Sequence, residues 1–277
     1  MDSLKSLDKE QRLKEILQEM GSIVIAFSGG VDSTYLLKIA LDTLGRDNVL
    51  AVTADSESFP EAELKETIRL AKQFNAPHQV IEMSELAIPG YAENDANRCY
   101  FCKKGLFDQL FPILLEKNFN NLTFGLILDD LGDHRPGVKA AMERNVRGPL
   151  AEAKMSKEDI RLRSRELGID TWDKPSMACL SSRIAYGERI TIEKLNSVEK
   201  SEEFIKRFGI RQVRVRIHNE IARIEVEKQD MPVLLERSRE TAEYLKGLGF
   251  KYITMDLIGY KSGSMNASIA EESVSKI

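Results

Sequence analysis

Hydrophobic and polar positions along this chain follow two alternating periods. Ile23-Val24-Ile25-Ala26-Phe27 is a short unbroken apolar run, the pattern of a strand buried on both faces. Between Thr34 and Leu44, Leu36, Leu37, Ala40 and Leu41 recur at helical spacing, and Gly45 supplies a stop. A second strand is expected over Val49 to Ala54. Ser58-Phe59-Pro60-Glu61 reads as a capping box with proline in the first turn of a helix that runs to Phe74. Strands are expected over His78 to Ile81 and Leu122 to Leu128. Between them a helix spans Lys103 to Lys117, disturbed at Pro112. One more helix starts at Val138, and another at Ser156-Lys157-Glu158-Asp159, stopped by Gly168. Strands alternating with helices predict an α/β fold, a parallel sheet with helices on both faces.

Past Tyr186-Gly187 the order changes to helix (Thr191 to Phe208), two strands, helix (Met231 to Leu248) and strand (Tyr252 to Leu257). That order predicts a small α+β domain, so domains are expected over residues 1–185 and 186–277. No internal repeat is visible, and the Ser/Glu-rich tail after Asn266 is expected to fray.

Composition narrows the class. A chain of 277 residues suits two domains, and 30% charged with 42% apolar residues is ordinary for a soluble protein. A net charge of −4 argues against a broad nucleic-acid surface. No apolar run approaches the ~20 residues that span a bilayer. Met1 to Met20 is a charged amphipathic helix without a signal-peptide core, so a cytoplasmic location is expected. In that setting the three cysteines read as ligands, nucleophiles or spectators rather than disulfides.

The stretch with the most chemistry is Ser28-Gly29-Gly30-Val31-Asp32-Ser33, a strand-to-helix turn. Its glycines permit a tight turn and close approach of backbone to a ligand. Amides at the new helix's N-terminus favour an anion, and Ser28, Ser33 and Thr34 add hydroxyls. A carboxylate beside phosphate is repulsive unless a divalent cation sits between, so Asp32 implies Mg²⁺. Neither the Walker pattern nor Gly-x-Gly-x-x-Gly is present. The turn resembles the PP-loop of ATP pyrophosphatases, which cleave between the α- and β-phosphates. Ala54, Ser56 and Gly125 fall at the same strand ends and are candidates for an adenosine pocket.

Three further stretches carry candidate chemistry. Asp129 to Gly137 is a polar turn-rich loop, either solvated or functional. In Arg211 to Val226, Val213, Val215 and Ile217 alternate with Arg214, Arg216 and His218. If Asn219-Glu220 is a two-residue turn, Arg216 faces Arg223 and Arg214 faces Glu225. An anion between the paired arginines would relieve their repulsion; a solvated outer face with one salt bridge is the alternative. Cys99-Tyr100-Phe101-Cys102 is a C-x-x-C, and Cys179 lies in the loop Pro175 to Arg183. Redox, zinc and incidental readings of these thiols compete. No second C-x-x-C exists, and three thiolates on a [4Fe–4S] cluster would leave one iron open.

The whole chain resembles the LarE family of ATP-dependent sulfur transferases. The matching stretches are Phe27 to Thr34, Asp133-His134-Arg135-Pro136-Gly137, Cys179 to Arg183 with Tyr186-Gly187, and Val213 to Arg216 with His218. Ala222 to Glu225 and Met255 through Asn266 complete the set. The resemblance implies adenylylation of pyridinium-3,5-dicarboxylate mononucleotide, then displacement of AMP by sulfur, for the nickel-pincer cofactor of lactate racemase. Asp32, Lys103, Cys179, Ser182 and Arg183 would carry the chemistry. Arg214 and Arg216 would bind the substrate's phosphate, with Lys261 standing where the family has arginine. Cys99, Cys102 and Cys179 look like the kind that holds a [4Fe–4S] cluster; a sacrificial Cys179 is the other kind. The resemblance also implies a homo-oligomer, a hexamer built from trimers, and neither a nucleic-acid nor a membrane partner. A PP-loop tRNA thiolase, an amidating ligase and a non-enzymatic nucleotide-binding module are the competing readings.

Overall fold

The computed structural model describes residues 2–131, 136–261 and 263–266. Helix α1 (Asp2–Met20) leads into strand β1 (Ile23–Ala26), followed by α2 (Val31–Leu44), β2 (Val49–Asp55), α3 (Glu61–Gln73) and β3 (His78–Glu82). Helix α4 (Arg98–Glu116), β4 (Asn121–Phe124), α5 (Pro136–Glu143), α6 (Pro149–Glu152) and α7 (Lys157–Glu166) complete the first part. The four strands are parallel, in the order β3-β2-β1-β4. The chain moves outward from β1 to β3 and then returns to β1's other side with β4. Loops leaving β1 and β4 therefore diverge, at the switch point where doubly wound sheets bind ligands.

Both faces of this sheet are covered, as its unbroken apolar strands require. Ile23 and Ile25 join Leu13, Leu17, Tyr35, Leu36 and Ile160 on one face. Val24 joins Phe107, Leu110, Leu122 and Phe124 on the other. Each fully buried Ile, Leu or Phe contributes about 1.5–3 kcal/mol. Helix α1 is tied to α7 by Lys9 to Asp159 (2.6 Å) and Arg163 to Glu10 (2.7 Å).

Two compact units divide the chain: Met1–Ser84 with Cys99–Met177, and Glu85–Arg98 with Ala178–Ile277. Sequence reading puts the division after residue 185 and has no reason to assign residues 85–98 to the second unit. In that unit lie α8 (Ile192–Lys206), β5 (Val213–His218), β6 (Ile221–Val226), α9 (Met231–Glu236), α10 (Ser238–Gly247) and β7 (Tyr252–Met255). Strands β5 and β6 are antiparallel, and β6 pairs parallel with β7. Val213, Val215, Ile217, Ile224, Leu195, Val198 and Leu245 form its buried apolar side.

Several boundaries differ from the periodicity. Helix α3 starts at Glu61 with Pro60 as its N-cap and no side-chain cap, so the Ser58 capping box does not form. Proline drives the preceding residue out of helical geometry, which keeps Phe59 outside. Helix α4 begins at Arg98, ahead of the expected Lys103, and takes the C-x-x-C into its first turn; it continues through Pro112. Strand β4 stops at Phe124 because the chain turns away at Gly125. The expected helix over 231–248 breaks at Arg237, whose φ of −95° and ψ of 15° leave helical geometry.

Candidate active site

The turn after β1 is built around two glycines. Gly29 has φ +67°, and a Cβ there would lie 2.9 Å from Thr67 Cγ2, so only glycine fits. Gly30 is the N-cap of α2 and, having no side chain, leaves the helix's first amides uncapped by it. That end is an anion cradle. Ser33 Oγ donates to the Gly30 carbonyl at 3.3 Å and lies 3.2 Å from Ser28 Oγ. Lys174 Nζ holds the Gly29 carbonyl at 3.0 Å and is itself paired with Glu63 at 2.7 Å.

Gly125, at the end of β4, lets that chain pass directly beneath the turn. A Cβ on it would meet Ser33 N at 3.0 Å and Asp32 Cβ at 3.2 Å. Gly125→Ala is therefore expected to push the turn aside, lowering stability by about 1–3 kcal/mol and weakening ATP binding. Calorimetric titration with ATP and a thermal melt check this; wild-type values in both would overturn it.

Asp32, in the first turn of α2, does not face the cradle alone. Lys157 Nζ donates to both of its carboxylate oxygens, at 2.6 and 2.5 Å. Burial pushes the Asp32 carboxyl above the usual range, and the Lys157 ammonium offsets part of that shift. Lys157 is the first residue of α7, where Ser156 and Asp159 form a capping box. Its own amide donates to Asp129 Oδ2 at 2.9 Å. The cradle's shape fits a polyphosphate, and Asp32 is a carboxylate already matched to a cation.

The neighbouring strand ends are cross-tied. Thr53 donates to the Phe27 carbonyl at 2.8 Å, so its oxygen accepts from His78 Nε2 at 2.9 Å. His78 thus carries its proton on Nε2, and burial keeps its pKa below the ordinary value. Ala54 and Ser56 are half-buried where β2 ends.

Cys99 and Cys102 lie three residues apart on the first turn of α4, on one helix face. Cys99 is exposed, Cys102 half-buried, and none of the three cysteines is in a disulfide. Tyr100, between them, donates to Glu143 of α5 at 2.6 Å. Lys103 is half-buried one turn on. Asp133, His134 and Arg135 lie outside the described residues.

In the second unit, Cys179 precedes a short 3₁₀ turn, Leu180–Arg183. Arg183 grips Glu202 through two bonds of 2.9 Å and donates to the carbonyls of Ala178 and Cys179, the latter at 2.8 Å. Ser182 Oγ also donates to the Cys179 carbonyl, at 2.8 Å. The hairpin register is as the pattern predicts: Arg216 opposite Arg223, Arg214 opposite Glu225, with Asn219 at φ 53° in the turn. The face is neither solvated nor open between its arginines, however. Glu225, fully buried, accepts from Arg216 at 2.9 Å and pairs with Arg223 at 3.2 Å. The anion between the two arginines is this carboxylate. Arg223 also reaches Asp256 at 2.6 Å. Arg214 lies over the Tyr260 ring, and burial together with nearby Arg183 and Arg216 lowers its pKa. Lys261 is exposed.

The family model described as NAD synthase matches residues 7–97. Similarity to three curated proteins extends over nearly the whole chain. A pyridinium-3,5-bisthiocarboxylic acid mononucleotide synthase of Lactiplantibacillus plantarum is 36% identical over 95% of this chain and 95% of its own. The chain belongs to this family, the LarE family of PP-loop proteins. An uncharacterized protein of Synechocystis sp. is 42% identical over 93% of this chain and 97% of its own. Another, of Methanocaldococcus jannaschii, is 33% identical over 94% and 98%.

Against the residues expected of a LarE protein, the structure gathers Ser28, Gly29, Gly30, Asp32, Ser33 and Gly125 at one place. Thr34 follows Ser33 in α2; it is 0% exposed, and its hydroxyl oxygen is buried with no hydrogen-bond partner among the described residues. Cys99, Cys102 and Lys103 belong to the first unit, and Cys179, Ser182, Arg183, Arg214, Arg216 and Lys261 to the second. Among the described residues no group of three His, Cys, Asp or Glu side chains is arranged to hold a metal ion. Sequence reasoning missed Lys157, Lys174 and Glu202. Lys157 did leave a trace: a cation at the first position of a helix opposes the macrodipole, and Asp32 is what offsets it.

Proposed function

We propose that this chain is an ATP-dependent sulfur transferase that converts the carboxylates of pyridinium-3,5-dicarboxylate mononucleotide into thiocarboxylates. The carrying observation is the glycine-forced anion cradle of α2 with Asp32 beside it, in a chain similar to a named synthase over 95% of its length. A substrate carboxylate oxygen attacks the α-phosphorus of ATP, the bond to the β-phosphate breaks, and pyrophosphate leaves. Sulfur then adds to the carboxyl carbon of the acyl adenylate, and AMP departs. Amides of α2 and the hydroxyls of Ser28 and Ser33 take up the charge that grows on pyrophosphate. Asp32 is the residue to hold Mg²⁺, which when bound neutralises phosphate charge. Lys103, Ser182 and Arg183 are assigned to the reacting carboxylate.

By family resemblance Cys99, Cys102 and Cys179 would supply the three thiolates of a [4Fe–4S] cluster, with a sacrificial Cys179 as the second route for sulfur. The reading includes a cytoplasmic setting and a homo-oligomer, by family resemblance. A tRNA thiolase would need a broad basic surface, which a net charge of −4 does not favour.

The test supplies ATP, the mononucleotide and sulfide, and follows pyrophosphate, AMP and product mass. Oxygen-for-sulfur exchange in the product is expected. ADP as product, or amide formation when ammonia replaces sulfide, would overturn the reading.

The substrate's phosphate is assigned to Arg214, with Lys261. Arg214 is buried over the Tyr260 ring, with Arg183 and Arg216 near it and Glu202 offsetting part of their charge. Arg214→Ala is expected to weaken mononucleotide binding by ~1.5–3 kcal/mol while ATP binding stays within error. Loss of ATP affinity instead would move Arg214 to the nucleotide site.

A further inference from the structure

Asp32 and Lys157 meet where the first turns of α2 and α7 come together. A lysine is a weak choice for the first position of a helix, because its charge faces the positive end of the dipole. Its long stem is also flexible, so its place depends on how firmly the turn beneath it is held. That turn is held by Asp159. Asp159 Oδ2 accepts from the Ser156 amide at 2.9 Å and from Ser156 Oγ at 2.7 Å. A capping box on a solvated helix needs no more than this.

Helix α1 adds the rest. Lys9 Nζ donates to Asp159 Oδ2 and Ser6 Oγ to Asp159 Oδ1, each at 2.6 Å. Asp159 is 8% exposed and Ser6 2%, so the cap is buried under α1. One turn further along, Glu10 of α1 takes hold of both helices. Its Oε2 accepts from Arg163 of α7 at 2.7 Å and from Tyr35 of α2 at 2.9 Å. Arg163 lies one turn after Asp159, and Tyr35 one turn after Asp32. A single buried carboxylate therefore sets α2 against α7 beside the place where Asp32 and Lys157 touch.

We propose that Asp159, braced by Ser6 and Lys9, is a positioning residue that holds Lys157 against Asp32, so that helix α1 sets the geometry of this pair. The pair's part in pyrophosphate release rests on the sulfur-transfer reading; the bracing does not.

Hydrogen exchange on the full-length protein without ATP or Mg²⁺ tests the bracing. The Lys157 amide is the reporter, because its acceptor is Asp129, which no variant touches. Asp159→Asn keeps the side chain's shape and turns one acceptor oxygen into a donor. The Lys157 amide should then exchange about tenfold faster or more, while amides of β1 and β2 keep wild-type rates. Lys9→Met, on another helix and half-buried, should speed the same amide about threefold. Wild-type exchange at Lys157 in both variants would overturn the proposal. A double-mutant cycle tests the route to the chemistry. With ATP, Mg²⁺ and the mononucleotide, Asp159→Asn should slow pyrophosphate release about fivefold or more, and Lys157→Ala further still. Adding Asp159→Asn to Lys157→Ala should change the rate by less than about twofold, because the lysine it positions is gone. Losses that multiply in the double variant would show that Asp159 acts by another route and overturn the proposal equally. If the wild-type protein releases no pyrophosphate with this substrate, the sulfur-transfer reading falls and the exchange result still decides the bracing.

Discussion

Asp32→Ala is expected to abolish substrate-dependent pyrophosphate release while the protein stays folded. The side chain sits on the first turn of α2, beside the cradle, and its two oxygens are taken by Lys157. Burial alone would favour the protonated form; a cation is needed to keep the carboxylate charged. With ATP bound, the cation demanded is Mg²⁺, and losing its anchor removes charge stabilisation as pyrophosphate departs. The expected cost is several kcal/mol, about a thousandfold or more in rate. Lys157→Ala should cost less, ~1.5–3 kcal/mol, the scale of one hydrogen bond to a charged group. Melting curves exclude unfolding, and a pyrophosphate assay gives the rate. Wild-type pyrophosphate release from Asp32→Ala would sink the assignment of Asp32 to the metal.

Much of this site was legible in the sequence because its causes are local. Ser28 to Ser33 needs only a strand before it and a helix after it to become a cradle, and both are written in the apolar spacing. The hairpin register followed from side-chain alternation and a two-residue turn. Burial was not legible there. Alternation of Val213, Val215 and Ile217 with arginines looks like one wet face, yet both faces of β5 are covered. Only tertiary structure shows that Glu225 and Glu202 meet those charges. Lys157 is 125 residues from Asp32 along the chain, and no local pattern pairs them. Residues 85–98 join the second unit through Asn94, whose side chain donates to the Ala185 and Glu188 carbonyls at 2.8 and 3.0 Å. A lone buried asparagine gives no periodic signal.

The three cysteines carry the other large effect. The chain supplies three thiols and no fourth, and clusters commonly take four thiolates. Sulfide is the outside ligand that this reaction needs, so an open iron has a use. Protein purified without oxygen is expected to be brown, with about four irons per cluster, and to turn over repeatedly with sulfide. On the cluster reading every thiol is a ligand, so Cys99→Ala, Cys102→Ala and Cys179→Ala should each lose iron and thiocarboxylate formation together. ATP binding should survive in all three, since the cradle of α2 uses none of them. The sacrificial route predicts the reverse: colourless protein, a single turnover, and Cys179 left as dehydroalanine. Under that route Cys99→Ala and Cys102→Ala remain active and only Cys179→Ala is dead. Mass spectrometry of the Cys179 peptide after one turnover separates the two. Loss of H₂S from that peptide would sink the cluster, and zinc bound without iron would leave the C-x-x-C structural.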